Sequence, residues 1–102
     1  MIARLWHGAV PAKKANAYYE YLKETGLAEY GGTPGNEGVY VLRQVEDQTA
    51  HFLLVSFWES FEAIRAFAGD DVERARYYPE DANYLLEMEP KVQHYEVLEP
   101  ER

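Results

Sequence analysis

The chain contains no cysteine. That excludes a disulfide framework, thiolate catalysis and thiolate metal ligation, and it fits a cytoplasmic protein. Basic residues are scarce too: 10 Lys and Arg stand against 18 Asp and Glu, a formal charge of −8. Nucleic-acid binding relies on a basic footprint that displaces counterions from phosphates, and no basic run is longer than Lys13–Lys14. Nucleic acid is therefore not an expected partner, and the same balance disfavours an anionic membrane surface. The longest strongly apolar run, Phe52 to Val55, falls far short of the roughly 20 residues that span a bilayer. MIARLWHG at the start holds no apolar stretch of signal-peptide length, so no leader is expected. The three histidines form no H-x-x-x-H, H-E-x-x-H or facial-triad spacing. The glycine-rich segment is neither a P-loop nor a G-x-G-x-x-G. No metal and no cofactor are expected on this pattern.

Aromatics are abundant. Nine Tyr, four Phe and two Trp make 15% of 102 residues, within a hydrophobic fraction of 47%. That length is one domain, residues 1–102, with ample material for a core. Tyrosine is apolar in body and polar at its tip, so an excess suits half-wet cavities and interfaces.

Ile2 to His7 reads as a strand. Pro11 then opens a helix to about Thr25, its apolar stripe formed by Ala15, Tyr18, Tyr19 and Leu22 and its end marked by Gly26. YGGTPGNEG, Tyr30 to Gly38, has four Gly and one Pro in nine residues and reads as loop, with a possible gating role. Val39–Val45 and Ala50–Trp58 read as a hairpin. Ser60 caps a helix lined by Phe61, Ile64, Phe67 and Ala68 and stopped by Gly69. Asp70 and Glu73 have capping-box spacing for a second short helix carrying RARYY. EDANYLLEMEP is irregular or briefly helical, and Val92–Leu98 is the last strand. The order β-α-β-β-α-β is the ferredoxin-like plan: an α+β fold with an antiparallel sheet and both helices on one face.

Both faces of that sheet are apolar. Val39, Val41, Phe52, Leu54 and Trp58 alternate with Tyr40, Leu42, Leu53, Val55 and Phe57. Helices on one side leave the other bare, beyond the few hundred Å2 a soluble monomer tolerates, roughly. A homodimer with its sheets packed face to face is expected; the alternative is a monomer with a long loop over the sheet.

With SFWES closing the third strand, the chain resembles the dimeric α/β-barrel superfamily, and within it the antibiotic biosynthesis monooxygenase-like family. The tail AFAGDDVERARYYPEDANYLLEMEPKVQHYEV is similar to a subgroup of small bacterial proteins of undefined function. The resemblance implies one pocket per subunit, between the helices and the sheet. Some members of the family oxidise electron-rich polycyclic phenols with molecular oxygen and no metal or flavin. Others degrade haem, act on quinols, or open or isomerise small lactones.

Trp58 is the first candidate, since the residue at that junction lines the family's active site; packing against Phe61 and Phe67 is the competing role. His94 is the second. It shares a face with Val92 and Leu98 and could be a general base near neutral pH, or a core histidine satisfied by a carbonyl or a phenol. Tyr77 and Tyr78 in RYYPED could lid the pocket, with only one facing in because neighbours on a helix diverge by about 100°. His7 and His51 complete the set, His51 reading as exposed after the hairpin turn.

Three positions depart from the family. The phenol oxygenases carry Asn four residues before the Trp, where this chain has Leu54. The haem degraders carry a ligating His on the following helix and Asn on the first strand; Ser60–Pro79 has no His and IARLWHG no Asn. The reading is a small-molecule enzyme, a cofactor-independent monooxygenase type acting on an aromatic or polyketide-like compound. Trp58 would stack on substrate, His94 would act as base, and Tyr77 or Tyr78 would orient it. The alternative is a non-catalytic small-ligand-binding or stress-response module on the same scaffold.

Overall fold

The structure, a computed structural model, describes residues 1–99. Strand β1 (Ile2–Pro11) ends at a proline that cannot donate to the ladder and leads into a 3-10 turn, Ala12–Lys14. Helix α1 (Ala15–Glu24) buries Ala15, Tyr18 and Leu22. Tyr19, expected on that stripe, is exposed instead, with the Lys23 ammonium 5.0 Å from its ring centroid.

Gly26 does not end the helical region. Thr25 breaks it, with φ −113° and ψ −98° and its hydroxyl donating to the Tyr21 carbonyl. Helix α2 (Gly26–Gly32) then restarts the coil. Buried Tyr30 stacks 4.5 Å from Phe67 and holds the end of α2 on the core, so tertiary packing overrides the local glycines.

Strands β2 (Asn36–Glu46) and β3 (Thr49–Trp58) form the expected hairpin. Helix α3 (Phe61–Ala68) is capped by Ser60 Oγ, which accepts from the Ala63 N–H at 3.2 Å. It stops at Gly69, whose φ of 92° suits glycine.

The short helix expected over RARYY does not form. Its backbone bonds go elsewhere: Ala75 N–H to the Pro90 carbonyl and Val92 N–H to the Glu73 carbonyl, around a bridge between Arg74 and Lys91. Helix α4 (Asp81–Tyr84) is one turn. Strand β4 (Gln93–Glu96) is shorter than the expected Val92–Leu98.

The sheet order is β2-β3-β1-β4, with every neighbouring pair antiparallel. This is the α+β ferredoxin-like arrangement. Trp58, Tyr18, Phe52 and Ile64 are fully buried between the sheet and the helices. The other face carries Leu5, Leu53, Val55 and Phe57, with Tyr40 and Tyr95 66% and 55% exposed, and no helix among the described residues lies over it. No helix among the described residues is long and apolar enough to cross a membrane.

Candidate functional site

Strand β1 points Ile2, Arg4, Trp6, Gly8 and Val10 towards the helices, because residues two apart share a face. Arg4 and Trp6 border a cavity of about 20 Å3, room for about one water molecule. Tyr18 and Leu22 of α1, Tyr30 of α2, Leu54 of β3 and Phe67 of α3 complete its walls. Arg76, Tyr78 and Asp81 close its outer side.

Arg4 is 1% exposed. Its Nη1 donates to the Val72 carbonyl at 2.5 Å and its Nη2 to the Arg74 carbonyl at 3.1 Å. Phe67 lies 5.8 Å away, ring centroid to Cζ. No carboxylate is paired with this guanidinium among the described residues. Burial pulls Arg4 below the ordinary arginine value, and neighbouring Tyr30 opposes that shift. Burial likewise raises the Tyr30 phenol.

His94 stands behind Arg4, its Nε2 3.0 Å from Nη1. A guanidinium has no lone pair, so Nε2 accepts and the ring proton sits on Nδ1. Burial, then the Arg4 charge, pushes His94 below its ordinary value. The sign of the linkage follows. An unfolded histidine takes up a proton as pH falls through about 6.5. The folded one resists, so the unfolded state binds more protons and stability falls with pH in that window. Asp81, raised by burial, acts oppositely at lower pH, where the folded state protonates first. His94→Gln keeps an acceptor for Arg4 and removes the first effect. Denaturant midpoints measured from about pH 7 to 5 should fall more steeply in wild type than in the variant. One proton sets a ceiling of about 1.4 kcal/mol per pH unit on the difference, and the partial exposure of His94 keeps it well below that.

Asp81 is buried, its Oδ1 accepting from the Tyr18 hydroxyl at 2.9 Å and its Oδ2 from the Tyr78 N–H at 2.5 Å. At the rim, Glu29 Oε2 lies 2.6 Å from Arg76 Nη1 and Oε1 accepts from Nη2 at 3.1 Å. Glu29 Oε2 also accepts from the Tyr78 hydroxyl at 2.8 Å. This clamp fastens the segment after α3 onto α2. Its partners are partly exposed, so it is a weak latch, worth about 0–1 kcal/mol by the usual size of such pairs.

Trp6 can lie flat on β1 only because Gly8 has no side chain: a Cβ there would come 2.4 Å from Trp6 Cη2 and 2.9 Å from Leu85 Cδ2. Gly8→Ala should therefore displace the indole and cost about 1–3 kcal/mol, the usual range for overpacking, read as a lowered denaturant midpoint.

The residues expected from sequence separate into two groups. Tyr78 lines the cavity. Tyr77 does not; its hydroxyl donates to the Glu89 carbonyl, and its ring meets Trp6 edge-on at 6.1 Å. Trp58 is 0% exposed and sits behind the wall. Its Nε1 donates to Ser56 Oγ at 2.9 Å, and its ring packs on Tyr30 and Phe67 at 6.0 and 5.5 Å. His94 borders a separate shallow depression with Phe61 and Val92. Sequence reasoning missed Arg4, Trp6 and Asp81. For Arg4 the signal was present: a charged residue at an inward position of a strand, between Ile2 and Trp6.

His7 and His51 meet on the opposite sheet face. Their rings stack at 5.3 Å, His7 Nε2 lies 3.1 Å from His51 Nδ1, and His7 Nδ1 lies 2.5 Å from Glu89 Oε2. His51 is half-buried rather than exposed. Among the described residues, no three His, Asp or Glu side chains are grouped to hold a metal ion.

No protein-family model and no curated protein matches the chain by sequence. Solved structures do match it by fold. A Bacillus cereus protein provisionally assigned as an antibiotic biosynthesis monooxygenase aligns at TM-score 0.65 and 17% identity, over 99% of this chain and 96% of that one. A Nitrosomonas europaea protein with the same provisional assignment aligns at 0.66 and 19%, over 97% and 100%. The haem degrader MhuD of Mycobacterium tuberculosis, solved with two haems in its active site, aligns at 0.65 and 21%, over 100% of both chains. At these identities the likeness is one of fold, and that fold is the one seen in the antibiotic biosynthesis monooxygenase-like proteins.

Proposed function

We propose that the chain is a small-molecule enzyme of the cofactor-independent monooxygenase type, acting on an aromatic or polyketide-like compound in the cavity beside Arg4. One observation carries the reading: a buried guanidinium with no carboxylate partner among the described residues, set among the rings of Trp6, Tyr18, Tyr30, Phe67 and Tyr78. Such a site favours a flat ligand that becomes anionic. The monooxygenase-like scaffold of the similar structures supports it.

The chemistry needs a base. Removing a proton from an activated CH2 leaves a carbanion that reduces dioxygen; CH2 and O2 become C=O and H2O, with all electrons supplied by the substrate. Asp81 is better placed for this step than His94. It borders the cavity, burial raises its carboxyl, and each oxygen keeps a second lone pair beyond its bond to Tyr18 or Tyr78, whereas the one lone pair of His94 Nε2 is held by Arg4. His94 and Trp58 then serve as positioning residues, the first behind Arg4 and the second behind Tyr30 and Phe67. A cavity of about 20 Å3 cannot hold an aromatic ring, so the substrate enters when the Glu29 clamp on Arg76 and Tyr78 releases. The Arg4 bond on the His94 Nε2 lone pair argues against that histidine as a haem ligand.

The test is oxygen uptake with anthrone, a tricyclic ketone with an activated CH2, without added metal or flavin. Wild type should consume one O2 per ketone formed. Asp81→Asn should bind anthrone but turn over at least roughly a hundredfold more slowly, the usual contribution of a general base. Binding without oxygen uptake in wild type would favour the alternative, a non-catalytic ligand-binding module. In this reading the chain acts as a homodimer joined through the sheet face opposite the helices.

A further inference from the structure

Two buried N–H groups have no partner among the described residues: Arg4 Nε and Trp6 Nε1. Arg4 is 1% exposed and Trp6 6%. Both side chains border the same cavity of about 20 Å3. Neither side chain has an acceptor atom to offer, so whatever satisfies both must itself accept. The volume admits one oxygen atom. The Arg4 charge, unmatched by any carboxylate among the described residues, favours an oxygen that is negative.

We propose that Arg4 Nε and Trp6 Nε1 together form a subsite for a single anionic oxygen borne on an sp2 carbon of an organic acid. This rests on the reading that the cavity is the substrate site, and it names what that site grips. Both donors are fixed in advance. Arg4 is tied through both terminal nitrogens to the Val72 and Arg74 carbonyls and to His94. Trp6 is wedged between Gly8 and the edge of Tyr77. Fixed donors around a developing charge need no reorganisation when the charge appears. The nearby Asp81 carboxylate accepts from Tyr18 and Tyr78 and cannot itself donate to a ligand oxygen while ionised. Its presence and the small volume select against a phosphate or sulfate group. Phenolates, enolates and carboxylates share the required chemistry.

4-Nitrophenol is a suitable probe because its phenolate absorbs separately from the phenol. Bound to wild type, it should ionise at lower pH than free in solution. Trp6→Phe keeps a ring and removes one donor, and should weaken phenolate binding at least roughly tenfold, the size of one hydrogen bond to a charged group. Binding of 4-nitroanisole, which cannot ionise, should hardly change. Arg4→Met removes the charge and should abolish the shift in ionisation; if that variant fails to fold, Trp6→Phe carries the test. Competition by benzoate would extend the subsite to carboxylates, and its absence would confine it to phenolates and enolates. Unchanged ionisation on binding, equal phenolate affinity in Trp6→Phe, or equally strong competition by inorganic phosphate would each overturn the proposal. The readout needs no oxygen. A preserved ionisation shift with no oxygen uptake would sink the monooxygenase reading alone.

Discussion

Trp58→Ala should destabilise the domain by about 3–5 kcal/mol, the range for truncating a buried large aromatic. The side chain is 0% exposed and fixed at both ends. Its N–H is bonded to Ser56 Oγ, and its ring meets Tyr30 of α2 and Phe67 of α3. One side chain thus ties the end of β3 to two helices, and collapse around the hole would have to move all three. A domain of this size is stable by about 5–15 kcal/mol, so the loss is a large share of the total. Trp58→Phe keeps most of the ring contact and drops the bond to Ser56, and should cost about 1–3 kcal/mol. Urea unfolding followed by far-ultraviolet circular dichroism measures both. If Trp58→Ala kept the wild-type midpoint while 4-nitrophenol binding was lost, the residue would belong to the pocket and not to the wall behind it.

The large side chain at the β3–α3 junction lies one layer behind the cavity wall. Period-2 alternation puts Trp58 on one face with Phe52 and Leu54, and the structure turns that face inward. Alternation cannot say whether an inward ring faces a cavity or another ring. That depends on α2, which the glycines at 31, 32 and 35 conceal. Tyr30 folds back over Trp58 only because the chain restarts a helix after Thr25, and a single break in backbone angles leaves no compositional trace. Ser60 and Gly69 bound α3 as read, because caps act through local hydrogen bonds. RARYY failed for the opposite reason. Its capping box is local, but the backbone donors at Ala75 and Val92 found carbonyls across the chain. Arg4 was legible by position, as a charge at an inward place in a strand. Its role becomes visible once the carbonyls of Val72 and Arg74 are seen to surround it, more than sixty residues away in the chain.

Val55→Asp should convert a homodimer into monomers. Val55 lies on the central strand β3, paired with Leu5 on one side and Tyr40 on the other, near the middle of the face that no helix covers. Leu42, Tyr40 and Tyr95 there are 48%, 66% and 55% exposed, so the chain by itself leaves large apolar side chains in water. The partner proposed for it is a second copy of the same twisted sheet, which would cover one apolar face with another. Such an interface is two-fold symmetric, so each substitution enters twice. An unpaired buried charge costs about 3–5 kcal/mol, which for two carboxylates weakens association at least roughly a thousandfold. Sedimentation velocity should show two-chain particles for wild type and single chains for the variant. The side chain points away from the core, so the variant should keep the far-ultraviolet spectrum of wild type. The cavity lies on the opposite face of the sheet, so 4-nitrophenol binding should survive. A monomeric wild type would mean that the apolar face meets some other surface, and a dimeric Val55→Asp would place the contact elsewhere on the chain. Either result would leave the cavity beside Arg4 as it stands, because every group that builds it comes from a single chain.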